Sequence, residues 1–240
     1  MRTIRGVATA VTLAAAVSGC SVYDDLTTSD FAKQDGEAIV TAAGESMQDV
    51  SSLRLTGQVR DAGEQYFVDL SVDREDRCTG TLRIGGSHLD VRRIGDRAWV
   101  KGEAGAFNRL GGGSLPRTAL QRLSRSWLPV GGKAAESLCD FDKLLKTFEV
   151  VDFDDKGGGD REDVPATVDE ETSLDGQKVV QLRASPGGAH DEVVWVRSEA
   201  PHHVVKIEST DTQDGGTIAF SEFDEDVEVE APAPKDVLRP

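Results

Sequence analysis

Few residues in this chain could do chemistry, and their spacing argues against catalysis. The four histidines are His88, His190, His202 and His203. His202 and His203 open the alternating run "HHVVKIES". Adjacent strand side chains point to opposite faces, so this pair does not converge on one metal, and surface positions are expected. The run "DFDDKGGGDRED" sets Asp152 and Asp154 at the first and third places of a possible calcium loop, Gly157 at the sixth and Asp163 at the twelfth. Lys156 takes the fifth place, where an oxygen ligand is needed, so a solvated loop is the expectation. The sequence contains no H-E-x-x-H, C-x-x-C, G-x-S-x-G, S-x-x-K or phosphate-loop pattern. Neither a metal, nor a cofactor, nor an enzymatic activity is expected.

The three cysteines, Cys20, Cys78 and Cys139, say more. Arg2 and Arg5 precede the apolar stretch Gly6 to Val17, which is too short to span a bilayer but suits the apolar part of a signal peptide. It ends in Val17-Ser18-Gly19-Cys20, after which the chain turns polar. This resembles the bacterial lipobox, in which small residues let a peptidase take the extended backbone and the cysteine thiolate accepts a diacylglyceryl group. The resemblance implies a signal peptide over 1–19 and lipidation of Cys20. The chain would then be anchored on the extracytoplasmic face of the cell membrane. The alternative is an ordinary secretory signal with an incidental cysteine. With Cys20 used, Cys78 and Cys139 remain as a pair in an oxidising compartment, and a disulfide between them is expected. Two buried free thiols are the alternative.

The charge agrees with an exported body. The whole chain carries −16, and residues 1–19 contribute only the two arginines, so the chain from Cys20 onward is more acidic still. Phosphate backbones need a basic face, so no nucleic acid partner is expected.

The elements come next. Residues 20–35 are polar and without period, and read as a tether. Gly36 to Val50 places Ile39, Ala43, Met47 and Val50 on one helical stripe. The period then becomes two, in "SSLRLTGQVR", "QYFVDLSVD", "CTGTLRIG", "HLDVRRIG" and "DRAWVKG". Five short strands with tight breaks read as an antiparallel meander with one apolar face. Gly57 and Gly80 fall on that face, which suggests strong curvature or a close approach. Two amphipathic helices are expected in the middle. Leu120, Leu123 and Trp127 share a face of the first, with Pro116 in its first turn. Leu138, Phe141, Leu145 and Phe148 stripe the second, with Ser137 as its cap and Cys139 inside it. Strands resume around Asp175-Gly176, a type I′ hairpin signal, and run through "DEVVWVRS", "HHVVKIES" and "GGTIAFSEF". The acidic alternation "EFDEDVEVE" reads as a guarded edge. The fold class is therefore α+β: a curled, half-closed antiparallel β-barrel with helices packed in its concave face.

These residues resemble a known family. The lipobox, the early helix, "CTGTLRIGG", "HLDVRRIGDRAWVKG", "AFNRL", the Asp-Gly hairpin and the closing strand before Ala-Pro look like the actinobacterial LppX/LprAFG-type lipoproteins. That family is similar in fold to the LolA/LolB lipoprotein carriers. The likeness covers 36–232 and leaves 233–240 as a tail. It implies an apolar space between sheet and helices that holds acyl chains of lipids or lipoproteins, and no catalytic residue. The candidate lining residues are Leu55, Val59, Val68, Leu70, Leu82, Val91, Trp99, Leu120, Leu123, Trp127, Leu145 and Phe148; the alternative is that they pack together as core, which periodicity does not distinguish. The implied protein is a monomeric, membrane-anchored lipid carrier. The alternative is a non-catalytic structural or sensory lipoprotein that binds a protein partner at the cell envelope.

Overall fold

A computed structural model describes residues 28–110, 115–131, 139–147, 166–184 and 191–239. The leader with Cys20, Ser137, Leu138, Phe148, the loop from Asp152 to Asp163 and His190 lie outside the described residues.

One sheet of eleven antiparallel strands forms the body. The strands are β1 (Ser52–Asp61), β2 (Glu64–Asp73), β3 (Arg77–Ile84), β4 (Ser87–Ile94), β5 (Arg97–Gly102), β6 (Leu128–Val130), β7 (Thr167–Leu174), β8 (Gln177–Ala184), β9 (Glu192–Arg197), β10 (Val204–Ser209) and β11 (Gly216–Ser221). Their order is β6-β5-β4-β3-β2-β1-β11-β10-β9-β8-β7, so β1 and β11 join the two halves and β6 and β7 are the open edges. The result is a curled, half-open barrel. Helix α1 (Gly36–Asp49) buries Ile39, Ala43 and Met47 in the same core as Leu53, Leu55, Leu70 and Val72 of the sheet. Among the described residues, three short helices follow β5: α2 (Ala104–Leu110), α3 (Arg117–Leu123) and α4 (Phe141–Thr147).

The curl has a local cause. Gly57 on β1 lies so close to β11 that a Cβ there would stand 2.1 Å from the carbonyl oxygen of Thr217. Gly80 on β3 has φ +150°, and a Cβ would meet the Asp69 carbonyl oxygen of β2 at 2.0 Å. Only glycine lets neighbouring strands coil this tightly toward the inner face.

The middle of the chain departs from expectation. The first helix there stops at Leu123, and Trp127 instead makes a parallel bridge to Val237. Its N–H donates to the Asp236 carbonyl and its own carbonyl accepts from Leu238, both at 2.8 Å. Residues 233–239 thus close on the open edge beside β6. Cys139 lies in a turn ahead of α4, not inside a helix. The residue that caps α4 is Asp140, whose Oδ1 accepts from Lys143 N–H at 3.0 Å. The acidic run after β11 forms no strand. It crosses the start of β1, where Asp224 N–H donates to the Ser52 carbonyl at 2.9 Å.

Candidate functional site

Strand register sets which side chains share the concave face. One row at the lower level reads Val100, Val91, Gly80, Leu70, Leu55 and Phe220 across β5, β4, β3, β2, β1 and β11. It resumes as Val204, Val196 and Val180 across β10, β9 and β8. Every apolar side chain in this row is buried, most of them in one core with Ile39, Ala43 and Met47 of α1.

The next row up crosses nine strands: Leu89, Leu82, Val68, Gly57, Ile218, Ile207, Val194, Leu182 and Val168. Every side chain in it is aliphatic, and glycine is the one gap. Leu89, Ile218 and Leu182 are buried, but Leu82, Val68, Ile207, Val194 and Val168 are covered only in part. The helices near it are short. Ala106 and Phe107 of α2 are buried against this core, whereas α3 buries no residue fully.

The expected lining residues divide along these rows. Leu55, Leu70 and Val91 are in the sealed row, and Leu145 of α4 joins the same core. Val59, Val68, Leu82, Leu120 and Leu123 are half-buried against it. Trp99 and Trp127 are elsewhere. In register Trp99 faces Arg92 while its neighbour Val100 faces Val91, so Trp99 lies on the convex side. The Trp127 ring packs under the Arg92 guanidinium, 4.7 Å from the ring centre, on that same side. Phe148 is outside the described residues.

Two polar features of the inner face were not anticipated. Glu171 ends the sealed row, opposite Val180, with its side chain only 7% exposed. Its Oε2 accepts from Ser29 N–H at 2.9 Å and lies 3.6 Å from Lys178 Nζ. Oε1 closes no hydrogen bond of ordinary length, although the buried Ser198 hydroxyl approaches the carboxylate. Burial pushes this carboxyl up, but the hydroxyls of Ser198 and Ser29, the Ser29 N–H and Lys178 outweigh it and hold it below the usual range. Arg93 is the second feature. It stands opposite Cys78, 5% exposed, and reaches Asp76 Oδ1 at 2.6 Å and the Cys139 carbonyl at 3.5 Å. Cys78 and Cys139 are joined as a disulfide, which fastens the turn before α4 to β3.

The histidines are not surface residues as a pair. His203 is buried against Phe223, and His202 is half-buried under Phe31. Among the described residues no group of three potential ligands could hold a metal, and no helix is long and apolar enough to cross a membrane. Hollows among the described residues open on the exterior. One of about 470 Å³ lies along the outer side of α1 beside Asp35, Glu37 and Glu45, and one of about 280 Å³ lies beside His88, Asp90 and Glu103. The second borders Gly102, the register partner of Leu89 at the end of the upper row.

No protein-family model matches the chain, and no curated protein matches its sequence. Solved structures do match it. LprF from Mycobacterium bovis aligns with a TM-score of 0.54 at 12% identity, over 82% of this chain and 97% of LprF. The Mycobacterium tuberculosis lipoprotein LppX aligns at 12% identity with a TM-score of 0.49, over 81% of this chain and 97% of LppX. At this identity the likeness speaks of architecture alone. The chain has an LprF-like fold.

Proposed function

We propose that this protein is a membrane-anchored extracytoplasmic lipoprotein that binds a lipid or acylated ligand against the inner face of its sheet and carries it without chemical change. The observation that carries this reading is the aliphatic row from Leu89 to Val168, five of whose side chains are covered only in part. An acyl chain needs a continuous aliphatic surface with few polar interruptions. This row crosses nine strands without one. The sealed row beneath it provides the rigid floor. Entry of a chain requires the layer holding Phe107, Leu120 and Leu123 to lift, and its helices have seven residues each, short enough to be held mainly by tertiary contacts. The Val17-Ser18-Gly19-Cys20 pattern supports the anchor.

The test is direct. Protein purified with Cys20→Ser is extracted with organic solvent and the extract read by mass spectrometry. A reproducible, stoichiometric acyl lipid is the expected result. Empty protein that also takes up no fluorescent fatty acid would sink the proposal.

A further inference from the structure

The inner face carries a third row, one step beyond the aliphatic one. In register it holds Ile84, Tyr66 and Val59 on the half of the sheet before β11, and Ser209 and Glu192 on the other half. The wall therefore turns from aliphatic to mixed at the end where β1 turns into β2 and β3 into β4. Glu64 lies two residues before Tyr66 on β2 and shares its face. Its Oε2 accepts from the Tyr66 hydroxyl at 3.4 Å, and its Oε1 accepts from Arg109 Nη1. Arg109 belongs to α2, two residues after Phe107, which is buried in the core. Its guanidinium rests on Gly85 in the β3–β4 turn, where a Cβ would stand 2.2 Å from Arg109 Cζ. The seating of α2 thus delivers one cation to the rim beyond Val68 and Leu82, whose next neighbours on the inner face are Tyr66 and Ile84. The other half of the same row offers an acid, Glu192.

We propose that Arg109 and Tyr66 form the head-group end of the acyl site, and that the ligand therefore carries an acidic head, a carboxylate or a phosphate. The proposal rests on the acyl-binding reading above. Glu64 holds the guanidinium in this structure, and the incoming head takes its place. The Arg109 and Glu64 side chains are 50% and 37% exposed. An ion pair this wet contributes little, so its carboxylate is replaceable. The displaced Glu64 turns to water and is not left as a lone buried charge. The planar fork of the guanidinium then takes two oxygens of one head, a geometry that carboxylate and phosphate both match. The Tyr66 hydroxyl, released with Glu64, donates to the same head. From there the chain runs past Val68 and Leu82 into the aliphatic row. Glu192 repels an anion on the far half, so charge decides on which side the head sits. A neutral head leaves the Arg109–Glu64 pair closed and gains nothing from it. The chain as a whole is acidic and disfavours anions, so any preference for an acidic ligand must come from a local cation.

The experiment uses the protein with Cys20→Ser and two pairs of fluorescent probes, each labelled at the methyl end of its chain. One pair is a fatty acid and its methyl ester. The other is a lysophosphatidic acid and the matching monoacylglycerol. Titrations are read as the ratio of acid to neutral affinity within each pair. The wild type should prefer the acid about threefold or more in at least one pair, and the pair with the larger ratio identifies the head. Arg109→Gln should bring that ratio close to one. Glu64→Gln should raise it, because the guanidinium then has no charged competitor. The second variant decides the matter even if Arg109→Gln does not fold, since a merely structural pair predicts that every affinity falls together. Equal affinities within both pairs, or a ratio that Glu64→Gln does not raise, overturn the head-group site and leave the acyl row standing. Failure of all four probes to bind overturns the acyl reading and this site with it.

Discussion

Arg74 Nη1 and Asp142 Oδ1 stand 2.8 Å apart, joining the β2–β3 turn to α4. The same guanidinium donates from Nε to the Val50 carbonyl at 2.7 Å and from Nη2 to the Gln48 carbonyl at 2.8 Å. Those are orphan carbonyls at the C-terminus of α1, which has no basic residue in its last turn. Its plane also lies over the Phe141 ring, 4.8 Å from the centre. One side chain therefore terminates the helix under the sheet and holds the helix beside it. Arg74→Ala should lower stability by about 1–2 kcal/mol, most of it from the lost carbonyl bonds, because the pair with Asp142 is solvent-exposed. Arg74→Lys should recover little, since one ammonium cannot reach three acceptors in this fan. Denaturant titration of both variants checks this.

The disulfide should matter more. Cys78 and Cys139 are 61 residues apart, and closing such a loop is worth roughly 4 kcal/mol in the chain-entropy model. Double substitution to alanine should lower the midpoint of thermal unfolding by more than Arg74→Ala does. It should also speed hydrogen exchange in α4 ahead of the strands, because Phe141 and Leu145 are then that helix's main hold on the core. Uniform loss of protection across sheet and helix would mean that the bond stabilises only globally.

Much of this architecture was legible because the sheet has one solvated face. Alternation then marks the inner residue of each pair, and it placed Leu53, Leu55, Leu70, Val72 and Val91 on the core side where they lie. It failed where alternation lapses. Ala98, Trp99 and Val100 are all apolar, so only pairing with β4 shows that Trp99 points outward. β6 has three residues with Pro129 in the middle, too short to show a period. Glu171 is one of three consecutive acids in "TVDEETSL", and no local alternation singles it out. A bulge in β7 between Val168 and Glu170 shifts the register, so that Glu171 faces inward beside Val180. The docking of Ser29 and Phe31 depends on that carboxylate and on His202, both far away in sequence, so local composition could not show it.

The two aliphatic rows should respond differently to substitution. Leu55 is 1% exposed in the sealed row, and Leu55→Ala should cost about 2–5 kcal/mol through lost burial and a cavity. Val68 sits one row up, half-covered, between Gly57 and Leu82 in register. Val68→Trp should leave stability within about 1 kcal/mol while lowering fatty-acid uptake severalfold, because the indole fills the aliphatic row. If Val68→Trp unfolds the protein, the upper row is packed as tightly as the lower one. If uptake is unchanged in a folded variant, the ligand lies elsewhere.

Acid should loosen the end of the barrel where α1 ends and the N-terminal segment docks, in two stages. Burial, with the charges of Arg197 and His202, holds the His203 imidazole below its ordinary 6.5, against a weaker pull from Asp224. The unfolded chain therefore binds a proton more readily than the native one. Stability from this group is complete above pH 6.5 and declines as pH falls below it. The second stage comes from carboxylates. Asp224 is held below its usual range by the Ser51 N–H, with burial opposing and the Ser51 hydroxyl and His203 assisting, and Glu171 is lowered as described above. Their stabilisation is present above their ordinary values near 4 and is lost as pH falls through their lower native values. Calorimetry from pH 8 to pH 3 should show a shallow fall in midpoint below 6.5 and a steeper one below about 4. His203→Gln should remove the upper fall and leave the lower one. Glu171→Gln should flatten the lower fall and speed exchange at Ser29, because an uncharged amide oxygen is a weaker acceptor for that N–H. A single transition near pH 4 in wild type and His203→Gln alike would show that the buried imidazole contributes nothing to the acid response.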